Sequence, residues 1–219
     1  MWLITKRSLI LARLDQFEDP WEGAKPSSLL SSIEKNWGPE WGPPVRQRME
    51  SDTSQREMMY ASCWHENPDQ SAALWKLYSL DSGVAIKSTA GRLVKSLKNA
   101  HQVTELGRVK YLDYQESEVR PMKGGFSPLE PAFNKRRSFV HEREVRLVSY
   151  LMYAVHETAP KVFPPVTKVE VDLTELIEEV FVSPTAPPWL LSVVADVLKA
   201  FDLAQIKLTP SNLYDPRIE

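Results

Sequence analysis

Phe139-Val-His-Glu-Arg-Glu-Val-Arg-Leu-Val148 is the stretch on which the reading of this sequence turns. On a strand, successive side chains alternate between two faces. A strand over 142–150 therefore places Glu142, Glu144 and Arg146 on one face, spaced by about 7 Å, and turns Val145 and Leu147 toward a core. Such a row of charges has two readings. It is a solvated face bearing a salt bridge, or it is a cleft floor. In a cleft, paired carboxylates do acid–base or oxocarbenium-stabilising work while an arginine orients one of them.

Outward from this strand, the pattern predicts strands at Ser8–Leu14, Met59–Trp64, Gly83–Lys87, Lys168–Leu173, Glu179–Ser183 and Gln205–Leu208, and one or two more around Gly107 within 103–114. It predicts helices over Ser27–Trp37 (stopped by Gly38), 44–58, 69–80, from Thr89 to Leu97, over 132–137, and over 188–200. A short helix capped at Asp172 or Thr174 joins two of the strands, and 121–131 reads as loop. Strand and helix signals alternate irregularly. The expected fold is therefore α+β, with a mixed or antiparallel central sheet flanked by helices. No composition shift marks a boundary, so a single domain over 1–219 is expected.

The 219 residues are 42% hydrophobic and 26% charged, a balance that excludes a disordered chain, a fibre or a disulfide scaffold. No apolar run approaches the roughly 20 residues of a membrane helix, so no membrane partner is expected. The net charge of -2 gives no global basic field for nucleic acid. Cys63 is the only cysteine, so no internal disulfide forms. With no signal-peptide pattern, a reducing, cytoplasmic setting is expected. Glycine is scarce, and neither the P-loop nor the GxGxxG spacing occurs.

Several side chains invite chemistry. Arg13 ends the first strand; it is either a turn anchor or a bidentate grip on phosphate or carboxylate. Glu18, Asp19 and Glu22 follow on a turn, where Asp19 before Pro20 is a common start. Ser62-Cys63-Trp64-His65 closes a strand, with Cys63 read as a small buried residue. His101, His141 and His156 are scattered, so no metal set is expected. Trp75 and Tyr78 lie three apart on one helix, as core or as an aromatic wall for a planar ligand. The basic group around Lys135, Arg136, Arg137 and Arg143 is interrupted by Glu142 and Glu144, which weakens a nucleic-acid reading.

Taken together, Leu9–Gly23 with its Phe-Glu-Asp-Pro-Trp-Glu-Gly turn, Tyr60-Ala-Ser-Cys-Trp-His65, Ser71, Ala73-Leu-Trp75, Tyr78, Gly83-Val-Ala-Ile86, Val109-Lys-Tyr111, Lys135, Phe139 and Glu142-x-Glu144-x-Arg146 resemble a bacterial family known as domain of unknown function 2971. The likeness runs to about Leu213, and it implies room for a further element before the first strand. The order of parts also looks like the ADP-ribosyltransferase arrangement. That second likeness implies NAD as substrate, Arg13 on a phosphate, Ser62 as the strand serine, and Trp75 or Tyr78 stacked on a ring of NAD. It implies Glu144 beneath the ribose as its charge builds, and Glu142 positioning or deprotonating the acceptor.

Three functions are thus kept in view. The first is an ADP-ribosyltransferase-like enzyme or glycohydrolase acting on a small nucleotide, NAD. The second is a non-enzymatic module that binds a protein partner through its Trp and Tyr residues. The third is a metal-dependent nucleic-acid-processing enzyme, which needs carboxylates such as Asp19, Glu22, Glu142 and Glu144 to converge. Oligomeric state is left open.

Overall fold

In the computed structural model, the described residues are 2–25, 30–31, 35, 38–44, 46–47, 54–79, 82–98, 103–114, 129–151 and 163–216. The fold is α+β, with largely antiparallel sheets. Contacts gather the chain into two compact units, one of 1–9, 67–100 and 169–219, the other of 10–66 and 101–168. Much of the helix expected over Ser27–Trp37, residues 45 and 48–53 of the one over 44–58 and the loop over 121–128 lie outside the described residues.

The second unit carries the charged row. Its sheet is built from β1 (Ser8–Arg13), β2 (Met59–His65), β4 (Val103–Arg108), β7 (Glu144–Tyr150) and β8 (Val166–Glu170), in the order β4-β7-β2-β1-β8. Strands β1/β2, β2/β7 and β4/β7 pair antiparallel. Register fixes which side chains share a face. Ala12 lies opposite Ala61, and Ala61 opposite Val148. On that face Leu14, Met59, Ala61 and Val148 form a buried cluster with Leu129, Ala132 and Phe133, and Phe17 and Tyr150 pack against it. The other face carries the buried Leu11, Tyr60 and Leu147. A parallel ribbon of β5 (Lys110–Leu112) and β6 (Asn134–Arg136) completes the unit, with Tyr111 opposite Lys135.

Two local expectations are corrected here. Residues 132–137 do not make one helix. A 3-10 turn at Glu130–Phe133 gives way to β6, and a second 3-10 turn follows at Arg137–Glu142. The stretch 103–114 does carry two strands as expected, β4 with Gly107 inside it and β5, divided at Val109. Finally, β7 begins at Glu144, so Glu142 is not a strand residue. Arg143 adopts φ +43°, the left-handed region, and that conformation ends the strand alternation before it reaches Glu142.

The first unit holds a sheet of β3 (Val84–Lys87), β9 (Glu179–Val182) and β10 (Lys207–Pro210), with β9 in the middle, parallel to β10 and antiparallel to β3. β3, the strand expected at Gly83–Lys87, is an edge strand with Val84 exposed. Thr89 caps the Ala90–Ser96 helix by accepting from the Arg92 N–H, and Asp172 caps the Leu173–Leu176 turn. Its buried apolar residues include Leu93, Val171, Leu173, Leu176, Val180, Val182, Leu198 and Leu203.

Gly107 shows how tightly the second unit is packed. A Cβ there meets the Phe133 ring at 3.0 Å, and that ring is buried in the core. Gly107→Ala is expected to cost about 1–3 kcal/mol by overpacking, read from urea unfolding. Pairing it with Phe133→Leu is expected to return part of that loss. Equal midpoints for Gly107→Ala and wild type contradict this account of the contact.

Candidate functional site

The turn after β1 builds one wall of the site. Asp19 accepts from the Trp21 N–H at 3.1 Å, its carbonyl accepts from the Glu22 N–H at 3.0 Å, and Gly23 closes the turn at φ +69°. A side chain at Gly23 is strained by that φ and meets Leu14 Cδ1 at 3.0 Å. The turn therefore caps itself through Asp19 and drives Glu22 inward, where it is 1% exposed.

Arg146 waits for it on β7, with no exposed surface at all. Its Nε donates to Glu144 Oε2 at 2.7 Å and its Nη2 to Glu144 Oε1 at 3.1 Å. Nη1 and Nη2 donate to the two Glu22 oxygens at 2.8 and 3.0 Å, and Nη1 also donates to the Ala132 carbonyl at 2.8 Å. A guanidinium has five N–H groups, so these bonds use all of its donor capacity.

Lys135 is the second cation. β6 carries it, opposite Tyr111 of β5 in the parallel ribbon. Its ammonium contacts Glu22 Oε1 at 3.1 Å, Glu144 Oε1 at 2.6 Å and Glu142 Oε2 more closely still. The Phe139 ring lies 4.7 Å from Nζ and covers it. Glu142 and Glu144 thus do meet, but through Lys135 rather than through strand alternation. At the margin, Arg136 makes a bidentate pair with Asp19 at 2.8 and 3.1 Å.

The backbone of Glu142-Arg143-Glu144 is pinned at each residue. His65 Nδ1 donates to the Glu142 carbonyl at 2.7 Å, and the Glu66 N–H donates to the Arg143 carbonyl at 2.9 Å. The Glu144 N–H donates to Tyr111 Oη at 2.8 Å, and its carbonyl accepts from the Val109 N–H at 2.9 Å.

Three carboxylates against two cations leave one unit of negative charge in a dry place. The two glutamates of the pair respond in opposite ways. Burial pushes the Glu142 carboxyl above the usual range, and its hydrogen bond with Glu144 adds to this, against the pull of Lys135. Burial also opposes ionisation of Glu144, but the Arg146 guanidinium, with help from Glu142 and Lys135, overrides it and holds that carboxyl well below the usual range. For Lys135, burial is outweighed by its bonds to Glu142 and Glu144, so it stays protonated.

The other residues singled out from sequence fall elsewhere. Arg13 pairs with Tyr60 in register, one residue out of phase with Ala12 and Ala61. Ser62 pairs with Leu147. Both therefore belong to the sheet face opposite Glu144 and Arg146. The Arg13 guanidinium is already engaged by Asp15 at 2.6 and 3.0 Å and by the Phe163 carbonyl. With the Tyr60 hydroxyl on the Pro164 carbonyl and the Arg13 N–H on the Pro165 carbonyl, it fastens 163–165 to β1 and β2. Trp75 and Tyr78 belong to the first unit, on the Ala72–Tyr78 helix, which buries none of its residues. Trp75 donates to Gln70 Oε1 at 3.1 Å, and Tyr78 is 73% exposed.

Cys63, expected to be buried, keeps an exposed surface directly opposite Arg146 in register. Its thiol is nonetheless pushed up, first by loss of solvation around the sulfur and then by Glu144, against the opposing charge of Arg146. Such a thiol is not poised as a nucleophile. Of the four carboxylates that a metal-dependent enzyme needs, Glu22, Glu142 and Glu144 converge, but on the Lys135 ammonium, while Asp19 is held by Arg136. Among the described residues no grouping of His, Cys, Asp and Glu suited to a metal occurs.

Sequence reasoning named Glu22 among the carboxylates able to converge with Glu142 and Glu144, but missed Lys135 and Tyr111 as members of the site. One signal was available for Lys135. Two carboxylates beside a single Arg146 leave a negative charge that a further buried cation must meet.

Compared with protein-family models, with curated proteins and with solved structures, the chain matches none.

Arg146→Leu strands Glu22 and Glu144 in the interior and is expected to cost about 3–5 kcal/mol, measured by urea unfolding. The two acids are expected to behave oppositely with pH. Glu144, with its lowered carboxyl, contributes stability that is complete above the ordinary carboxylate range and is lost only as pH falls through its depressed value. Glu142, with its raised carboxyl, disfavours the fold as pH climbs from the ordinary carboxylate range through its raised value. At neutral pH Glu144→Gln therefore lowers the unfolding midpoint, and Glu142→Gln leaves it level or higher. Equal losses from both variants contradict this division of roles.

Proposed function

We propose that this protein is an acid–base enzyme that breaks a glycosidic bond, a glycohydrolase or ADP-ribosyltransferase-like activity for which NAD is the substrate suggested by the likeness in sequence. One observation carries the proposal. Two carboxylates share a single lysine, and their surroundings push them apart, Glu142 toward holding a proton and Glu144 toward permanent ionisation. Opposed environments of this kind are how one site assigns acid–base and charge-stabilising roles.

The chemistry follows from the charges. As the bond from the sugar carbon to its leaving group lengthens, positive charge builds on the sugar, and the leaving group departs with the electron pair. The net negative cluster, with Glu144 held rigid by Arg146, favours that charge. Glu142 is the more exposed acid, at 15% against 6% for Glu144. It takes the proton of the attacking water or acceptor as the new bond to oxygen forms.

The fit to NAD is partial. The acid pair suits the ribose end. Arg13 and Ser62 do not suit the phosphates, because both lie on the opposite face of the sheet and the Arg13 donors are engaged by Asp15 and Phe163. No step is assigned to the phosphates.

A second reading is favoured by the saturation of Arg146. With every donor used internally, the network serves the fold alone, and function lies with exposed aromatic residues such as Trp21, Trp41 and Trp189 on a protein partner. The two are separated by assaying purified protein for release of nicotinamide from NAD, with and without acceptor protein, beside a panel of nucleosides. The enzyme reading expects release by the wild type, and at least a 100-fold drop in Glu144→Gln that still shows a cooperative melt. No release from any glycoside leaves the second reading standing.

A further inference from the structure

Resting on that acid–base reading, we infer that His65 and Tyr111 are positioning residues that set the two carboxylates by gripping the main chain on either side of Arg143. The grip is needed because the chain is unusual there. Arg143 sits at φ +43°, where a residue with a Cβ is disfavoured by about 1–2 kcal/mol. Left alone, the Glu142–Glu144 link relaxes toward strand or helix, and the two carboxylates leave Lys135. Backbone bonds restrain only part of the link: the Glu66 N–H holds the Arg143 carbonyl and the Val109 N–H holds the Glu144 carbonyl, but Glu142 lies outside β7 and the Glu144 N–H has no backbone acceptor.

The two residues supply it from different strands. His65 comes from β2, where it stands opposite Glu144 in register. Its Nδ1 donates to the Glu142 carbonyl at 2.7 Å, and a carbonyl only accepts, so the proton lies on Nδ1. Tyr111 comes from β5. Its Oη takes the Glu144 N–H at 2.8 Å, in place of the carbonyl that a neighbouring strand would offer. Neither side chain hydrogen-bonds a carboxylate of the pair. Their influence passes through the backbone, to the Lys135–Glu142–Glu144 geometry.

The charged and titratable groups around the pair are Lys135 from β6, Arg146 from β7, Glu22 from the turn after β1, Tyr111 from β5, and Cys63 and His65 from β2. A shift of the pair's titration is therefore read in variants that leave the charged members of this set in place. Tyr111→Phe removes only the hydroxyl. His65→Leu removes the donor, and His65→Asn restores a donor at about the Nδ1 position.

The experiment measures two things on wild type and these three variants. One is the pH profile of nicotinamide release. The other is the carboxyl titration of Glu142 and Glu144, followed by carbon NMR on glutamate-labelled protein. Expected in Tyr111→Phe and His65→Leu are a kcat at least 10-fold lower, KM within about threefold, and a displaced limb of the pH profile. His65→Asn is expected to recover most of the loss. The NMR midpoint of Glu142 is expected to move by half a unit or more in the first two variants and to return in the third. If wild type releases no nicotinamide, the acid–base reading fails while the NMR midpoints still decide the positioning role. Midpoints unchanged in Tyr111→Phe and His65→Leu overturn that role, whatever the activity.

Discussion

Arg146 is a cation taken wholly out of water on an inner strand of a five-stranded sheet. Isolated burial of such a group costs several kcal/mol or more, so the fold is constrained to bring anions to it. Glu144 is supplied by the same strand, two residues earlier. Glu22 is supplied from 124 residues away by the turn after β1. That turn must therefore close inward, and Asp19 and Gly23 make it do so. The apolar cluster of Leu14, Met59, Phe133 and Val148 on the same sheet face supplies the driving force.

Meeting the demand of Arg146 creates a new one. Glu22 and Glu144 together outweigh a single guanidinium, and Lys135 answers them from the ribbon. The lysine in turn draws in Glu142, which leaves the cluster negative by one unit. The same contacts divide the two acids: Arg146 holds the Glu144 carboxyl well below the usual range, while burial and the neighbouring Glu144 leave that of Glu142 raised.

Arg13 shows the limit of motif reasoning. Its position at the end of the first strand matches an anion-binding arginine, yet its donors go to Asp15 and to the carbonyl of Phe163. Nothing in the local sequence announces a partner 150 residues away. Ser62 is misplaced for a simpler reason. A shift of one residue along a strand changes face, and the face follows from pairing rather than from type.

Sequence by itself determined the α+β class, the strand cores, the Thr89 cap and the limits of the 188–200 helix, and it narrowed a second cap to Asp172 or Thr174. Each of these depends on neighbours within a turn or on a short hydrophobic period, so local chemistry suffices. It also marked Glu142, Glu144 and Arg146 as belonging together, although for a reason that holds only from Glu144 onward. Tertiary structure decided the rest: which sheet face each residue shares, that Lys135 and Glu22 complete the cluster, and that Arg13 does not. Those outcomes are fixed by long-range charge balance and strand register, neither of which leaves a periodic trace along the chain.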